Sequence, residues 1–141
     1  MQSTVRTTVS APIATVWKVL ADHEGISNWA PGLSAVLTST GASDRNGVGA
    51  VRRIKGPLPV PAIVEEVTAF EPGRRLTYKA LAGVPLRNYH GDVVLEQAGG
   101  GTSISYTVRA DQRVPLVEKA LTKVIAAGLL NGLVRAVKKS C

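Results

Sequence analysis

Between Leu33 and Asp111 the sequence breaks into short runs of alternating polar and apolar residues, each closed by a cluster rich in Gly, Pro, Asn or Asp. Alternation with a period of two suits a pleated strand buried on one face, and glycines in the closing clusters supply the positive φ that tight turns need. The pattern predicts a meander of antiparallel strands over 33–40, 48–55, 61–70, 75–81, 88–97 and 102–110. Turns are expected at 41–47, 72–74 and 98–101. The segment from Gly56 to Pro61 carries Pro57, Pro59 and Pro61, which fix φ and cannot continue a central strand, so it reads as a rim or lid.

The flanks read differently. Residues 4–10 alternate with Val5, Thr7 and Val9 on one side, predicting a first strand. A helix follows, with Ser10 as its cap, Pro12 near its first turn, and Ile13, Val16, Trp17 and Leu20 at helical spacing. Asp22 to Trp29 read as a short second helix or turn, closed by Ala30, Pro31 and Gly32. From Val114 to about Lys139 the spacing predicts a long helix. Val117, Leu121, Val124, Ile125 and Gly128 share one face, expected to lie on the sheet. Leu129, Leu130, Leu133, Val134 and Val137 centre on a different face. A bend near Gly128 or Gly132, a pocket under the helix, or a homodimer contact through the C-terminal helix would each account for the change.

Composition narrows the class. At 141 residues, 45% hydrophobic and 19% charged, the chain reads as one folded domain over 1–141 rather than a disordered segment. No run approaches the ~20 apolar residues that span a bilayer, and the first residues lack the apolar stretch of a signal peptide, so a cytoplasmic location is expected. The single cysteine, Cys141, excludes an intrachain disulfide and a cysteine-based metal cluster. The net charge of +7 favours acidic partners or solubility. Its basic pairs, such as Arg52-Arg53, Arg74-Arg75 and Lys138-Lys139, are scattered, only six aromatics are present, and no nucleic-acid-binding signature is visible. Specific nucleic-acid binding is not expected.

The segments SAPIATVWKVLAD with Trp29 beyond it, VGAVRRIKG, the long run from Val64 to Val108, and the closing helix together resemble the START/Bet v 1-like (SRPBCC) superfamily, in its bacterial polyketide cyclase/dehydrase-type branch. The resemblance covers nearly the whole chain. It implies an α+β helix-grip fold: a curved seven-stranded antiparallel sheet wrapped around a long C-terminal helix, two short helices between strands 1 and 2, and a cavity between sheet and helix.

Strand parity then selects what faces that cavity. Tyr89, Gly91, Val93 and Leu95 form the inward set of their strand, leaving Asn88, His90, Asp92 and Glu96 outside; Ile104, Tyr106 and Val108 point in, as do Leu76, Tyr78 and Ala80. Three tyrosines thus share one interior, where they serve either as pocket wall with orienting hydroxyls or as ordinary core residues. Trp29 reads as cavity-mouth wall or as a plug on the sheet edge. Arg52 and Arg53 are adjacent, so one faces in, and the same holds for Glu65 and Glu66. An inward Arg52–Glu65 pair would hold or polarise a ligand carbonyl or carboxylate, or serve as a structural ion pair at the rim. The spacing of Val64, Val67 and Phe70 fits no single alternation and suggests a bulge.

His23 between Asp22 and Glu24, and His90 with Asp92 two residues on, each mimic a base with an orienting carboxylate. No Gly-x-Ser-x-Gly elbow, metal-ligand cluster or phosphate loop is present in the sequence, so no cofactor and no metal are expected. The expected function is binding of a hydrophobic small molecule, lipid-like or polyketide-like, by Trp29, Arg52, Glu65, Tyr78, Tyr89, Tyr106, Ile125 and Leu129. The alternative is a cyclase or dehydratase acting on a carbonyl substrate, with Arg52, Glu65 and His90 as catalytic candidates. The segment 82–87 and the prolines of 56–61 are the expected entrance.

Overall fold

The computed structural model describes residues 2–29, 32–56, 62–84, 87–111 and 117–140, the side chains of 117–122 and 140 excepted. The prolines of 57–61 and the start of the C-terminal segment therefore lie outside the described residues. Seven strands form one antiparallel sheet: β1 (Gln2–Val9), β2 (Ser34–Ser39), β3 (Val51–Lys55), β4 (Ile63–Glu71), β5 (Arg75–Ala82), β6 (His90–Ala98) and β7 (Gly101–Arg109). Their order is β1-β7-β6-β5-β4-β3-β2, so β2 to β7 are a meander and the first strand closes onto the last. Two helices complete the fold, α1 (Ile13–Ala21) and α2 (Val117–Ser140), with a 3-10 turn at His23–Asn28.

Local chemistry explains most boundaries. The residue at the α1 N-cap is Pro12, in extended conformation with its carbonyl accepting from Thr15 and Val16, so Ser10 lies too far upstream to cap as expected. β3 starts at Val51 rather than 48, because Gly47 and Ala50 donate back to Asp44 and Gly47 in a turn. The suspected irregularity in β4 is real: its register against β5 shifts between Val64 and Glu65 and again between Val67 and Ala69. Between the two shifts Glu65 and Val67 alternate normally and are both buried, and beyond the second the parity changes and Phe70 is half-buried.

The core lies between the sheet and the helices. Val16 and Leu20 of α1, Leu76, Val93, Leu95, Ile104 and Val108 of the sheet, and Leu130, Leu133 and Val137 of α2 are all buried. α2 packs on β1 and β7 and also touches α1 and the 3-10 turn. Its buried stripe differs from the expected one. Val124 is 69% exposed and Gly128 is exposed, whereas Ala126, Leu130, Leu133 and Val137, spaced by four, three and four residues, face the core. The face considered for a subunit contact is largely spent inside the molecule, and a pocket under the helix, bordered by Ile125 and Leu129, accounts for the rest. Among the described residues no helix is long and apolar enough to cross a membrane.

Candidate functional site

β3 and β4 bring Arg52 and Glu65 opposite each other as direct register partners, and both side chains turn inward. Arg52 donates from Nε to Glu65 Oε1 at 2.8 Å, and its Nη2 lies 2.6 Å from the same oxygen. Burial works against the guanidinium charge, and Glu65 together with Tyr78 and Tyr106 outweighs it, so the Arg52 pKa is raised. The third nitrogen, Nη1, donates to His23 Nδ1 at 3.1 Å. The guanidinium carbon also stands 4.7 Å from the centre of the Tyr78 ring, within cation–π range.

His23 is fully enclosed beneath this pair. Its Nε2–H donates to the carbonyl of Asn46 at 2.9 Å, so the neutral tautomer protonated at Nε2 satisfies both ring nitrogens at once. Burial, with the Arg52 charge second, lowers its pKa from 6.5 to about 4. Its neighbour Glu24 does not orient it, since that carboxylate pairs with Arg45 at 2.6 Å. The sequence reading misses the partnership with Arg52. The only signal for it is a histidine at the end of an amphipathic helix, and the link spans 29 residues.

The tyrosines converge as parity predicts. Tyr78 and Tyr106, on β5 and β7, share a hydroxyl–hydroxyl bond of 2.7 Å across the intervening β6. What makes room for it is Gly91 on β6, where any Cβ would collide with the Tyr78 ring and hydroxyl. Tyr89 lies one residue before β6 and stacks at a tilt on Tyr78, with ring centres 6.4 Å apart. Burial raises all three phenol pKa values, so the hydroxyls remain protonated hydrogen-bonding groups across the ordinary pH range.

These side chains border a cavity of about 300 Å³ beneath α2. Its wall contains every residue expected there (Trp29, Arg52, Glu65, Tyr78, Tyr89, Tyr106, Ile125 and Leu129), joined by Ile26, Leu33, Ile54, Ile63, Gly83 and Val84. Gly83 and Val84 belong to the expected entrance; residues 85 and 86 lie outside the described residues. Trp29 is buried, wedged against α2: its backbone oxygen, Cβ and Cε3 edge crowd Gly132, and Arg135 Nη1 donates to its carbonyl at 3.3 Å. A Cβ on residue 132 would stand 3.2 Å from the Trp29 carbonyl oxygen and 3.3 Å from its Cβ, tight contacts that favour a glycine inside this long helix.

His90 is not brought to this cavity. It lies on the opposite face of the sheet, where its Nδ1–H donates to the Asn88 carbonyl at 2.8 Å. Asp92 does not orient it, because Arg75 holds that carboxylate through two bonds of 2.9 and 3.0 Å and Thr77 donates a third at 2.8 Å. Among the described residues no cluster of three or more His, Cys, Asp or Glu is placed to hold a metal ion.

The family model described as polyketide cyclase / dehydrase and lipid transport matches residues 1–138. The chain belongs to that family. Solved structures agree on the fold of this cyclase/dehydrase and lipid-transport family member. Protein MLL2253 from Mesorhizobium loti matches with a TM-score of 0.78 at 16% identity, covering 100% of this chain and 99% of that one. Ara h 8.0201 matches at 0.73 and 17% identity, with 99% and 95% covered. TTHA0849 from Thermus thermophilus matches at 0.69 and 17%, with 99% and 96% covered. At these identities the likeness is one of fold, the Bet v 1-like helix grip. No curated protein matches the chain.

Proposed function

We propose that this family member binds a hydrophobic small molecule, lipid-like or polyketide-like, in the cavity between its sheet and α2. The observation that carries the reading is the wall itself: a space of about 300 Å³ bounded mainly by aliphatic and aromatic side chains, with a few convergent polar groups at one end. An engineered apolar cavity of about 150 Å³ holds benzene, so this one suits a ligand of roughly a dozen heavy atoms. The family description, which includes lipid transport, supports the same class of ligand.

A second reading, cyclase or dehydratase chemistry, is favoured by one feature: Arg52, Glu65 and Tyr78 meet at the cavity wall, where a carbonyl would be polarised. Against it, Arg52 is already engaged by Glu65 and His23, and the phenols are held as weaker acids than usual. Native mass spectrometry of the purified protein, followed by organic extraction, separates the readings. A retained apolar molecule recovered unchanged after incubation supports binding. Conversion of the released molecule by fresh protein transfers the weight to catalysis, and an empty mass together with no uptake of apolar probes overturns both.

A further inference from the structure

Trp29 carries the one buried side-chain polar atom among the described residues that has no hydrogen-bond partner, its indole Nε1–H. Native structures satisfy the great majority of such groups, because stripping an N–H of water without replacement is costly, so an orphan here calls for a missing acceptor. Its position says where that acceptor comes from. The residue is only 4% exposed and forms part of the cavity wall. Its Cε3 lies on the side of Gly132, 3.6 Å from where a Cβ there would stand, and in an indole Nε1 is on the edge of the ring system opposite Cε3.

The rest of the polar end limits the acceptor's charge. Glu65 neutralises Arg52 at 2.6 Å, and the tyrosine hydroxyls are uncharged donors, so the wall has no net cation to offer a carboxylate. A carboxylate entering this space would lose its water and meet Glu65 as a like charge. We infer that the cavity selects an uncharged ligand bearing a carbonyl-type oxygen, and that the Trp29 indole N–H is the donor that receives this oxygen. The inference rests on the binding reading above and names the chemical class of its ligand.

Three probes of matched size test it: methyl naphthyl ketone, isopropylnaphthalene and naphthoate. Each is titrated into nitrogen-15-labelled protein while the indole N–H signals of Trp17 and Trp29 are followed. The two uncharged probes share a ring system, so the difference between their effects isolates the hydrogen bond. The expected result is a downfield Trp29 signal with the ketone relative to the hydrocarbon, an unmoved Trp17 signal, and at least tenfold weaker binding of naphthoate. In Trp29→Phe the ketone-to-hydrocarbon affinity ratio should fall about five- to tenfold, the worth of one net hydrogen bond. If that variant does not fold, the wild-type spectra decide alone. Equal indole positions with ketone and hydrocarbon, or naphthoate binding as tightly as the ketone, overturn the donor assignment while leaving the binding reading intact. Failure of all three probes to bind overturns that reading and the inference with it.

Discussion

Arg52 and Glu65 face each other across β3 and β4 as register partners, and their ion pair at 2.6 Å is buried on both sides. Removing one charge leaves the other unpaired in the interior, which typically costs about 3–5 kcal/mol. Glu65→Gln is therefore expected to destabilise the fold by that order, read from urea midpoints. Arg52→Met combined with Glu65→Leu should recover most of the loss, because an apolar replacement of a buried pair is often neutral. A Glu65→Gln variant as stable as wild type would show that the pair contributes nothing to holding β3 on β4.

His23 links stability to pH. Its proton is lost at 6.5 in the ordinary environment but only at about 4 when folded, so between those values the unfolded chain binds more protons than the native one. Stability from this group is full above pH 6.5 and falls as the pH drops toward 4, by about 3 kcal/mol at one pKa unit per 1.36 kcal/mol. In His23→Gln the slope of unfolding free energy against pH should flatten within that window. Parallel slopes in variant and wild type would assign the acid sensitivity to other groups.

The two hydroxyls of Tyr78 and Tyr106 make a coupled pair. Tyr78→Phe and Tyr106→Phe each leave the remaining phenol without its partner, at an expected cost of about 1–3 kcal/mol. The double variant should cost less than the sum of the singles, by roughly 1 kcal/mol in a double-mutant cycle. Strict additivity would mean the 2.7 Å contact carries no energy.

The two glycines of α2 should respond oppositely to a methyl group. Nothing stands within 4 Å of a Cβ at Gly128, so Gly128→Ala is expected to gain about 0.5–1 kcal/mol from helix propensity alone. At Gly132 the added carbon would sit 3.2 Å from the Trp29 carbonyl oxygen, so Gly132→Ala should gain less or lose stability, and it should perturb the Trp29 fluorescence. Equal thermal shifts for both would show that the indole seat is loose.

How much of this is legible in the chain alone depends on the range of the signal. The meander and the inward tyrosines are written in a period of two, which neighbouring residues impose on each other; hence strand parity is enough to turn Tyr78, Tyr89 and Tyr106 inward. The same rule sends one of Arg52 and Arg53 and one of Glu65 and Glu66 inward without choosing between them, because the register shifts in β4 break the parity that would decide. For His23 the sequence offers only Asp22 and Glu24, its chain neighbours, while its partners are Arg52 and the Asn46 carbonyl, brought near by packing of the 3-10 turn. The buried face of α2 escapes the sequence for a related reason. The stripe through Val124 and the stripe through Leu130, Leu133 and Val137 are both apolar in the sequence, and the structure buries the second, beside the contact of Gly132 with Trp29, a tertiary contact with no local trace.

Each phenol of the Tyr78–Tyr106 bond is able to donate or accept, so the same heavy atoms hold two proton arrangements. In one, the hydrogen of Tyr78 is engaged and that of Tyr106 is spare; in the other the roles reverse. A guest presenting an oxygen beside either ring meets a proton without any side chain turning. The polarity of this pair is thus reversible at the scale of a single hydrogen, with no heavy atom displaced.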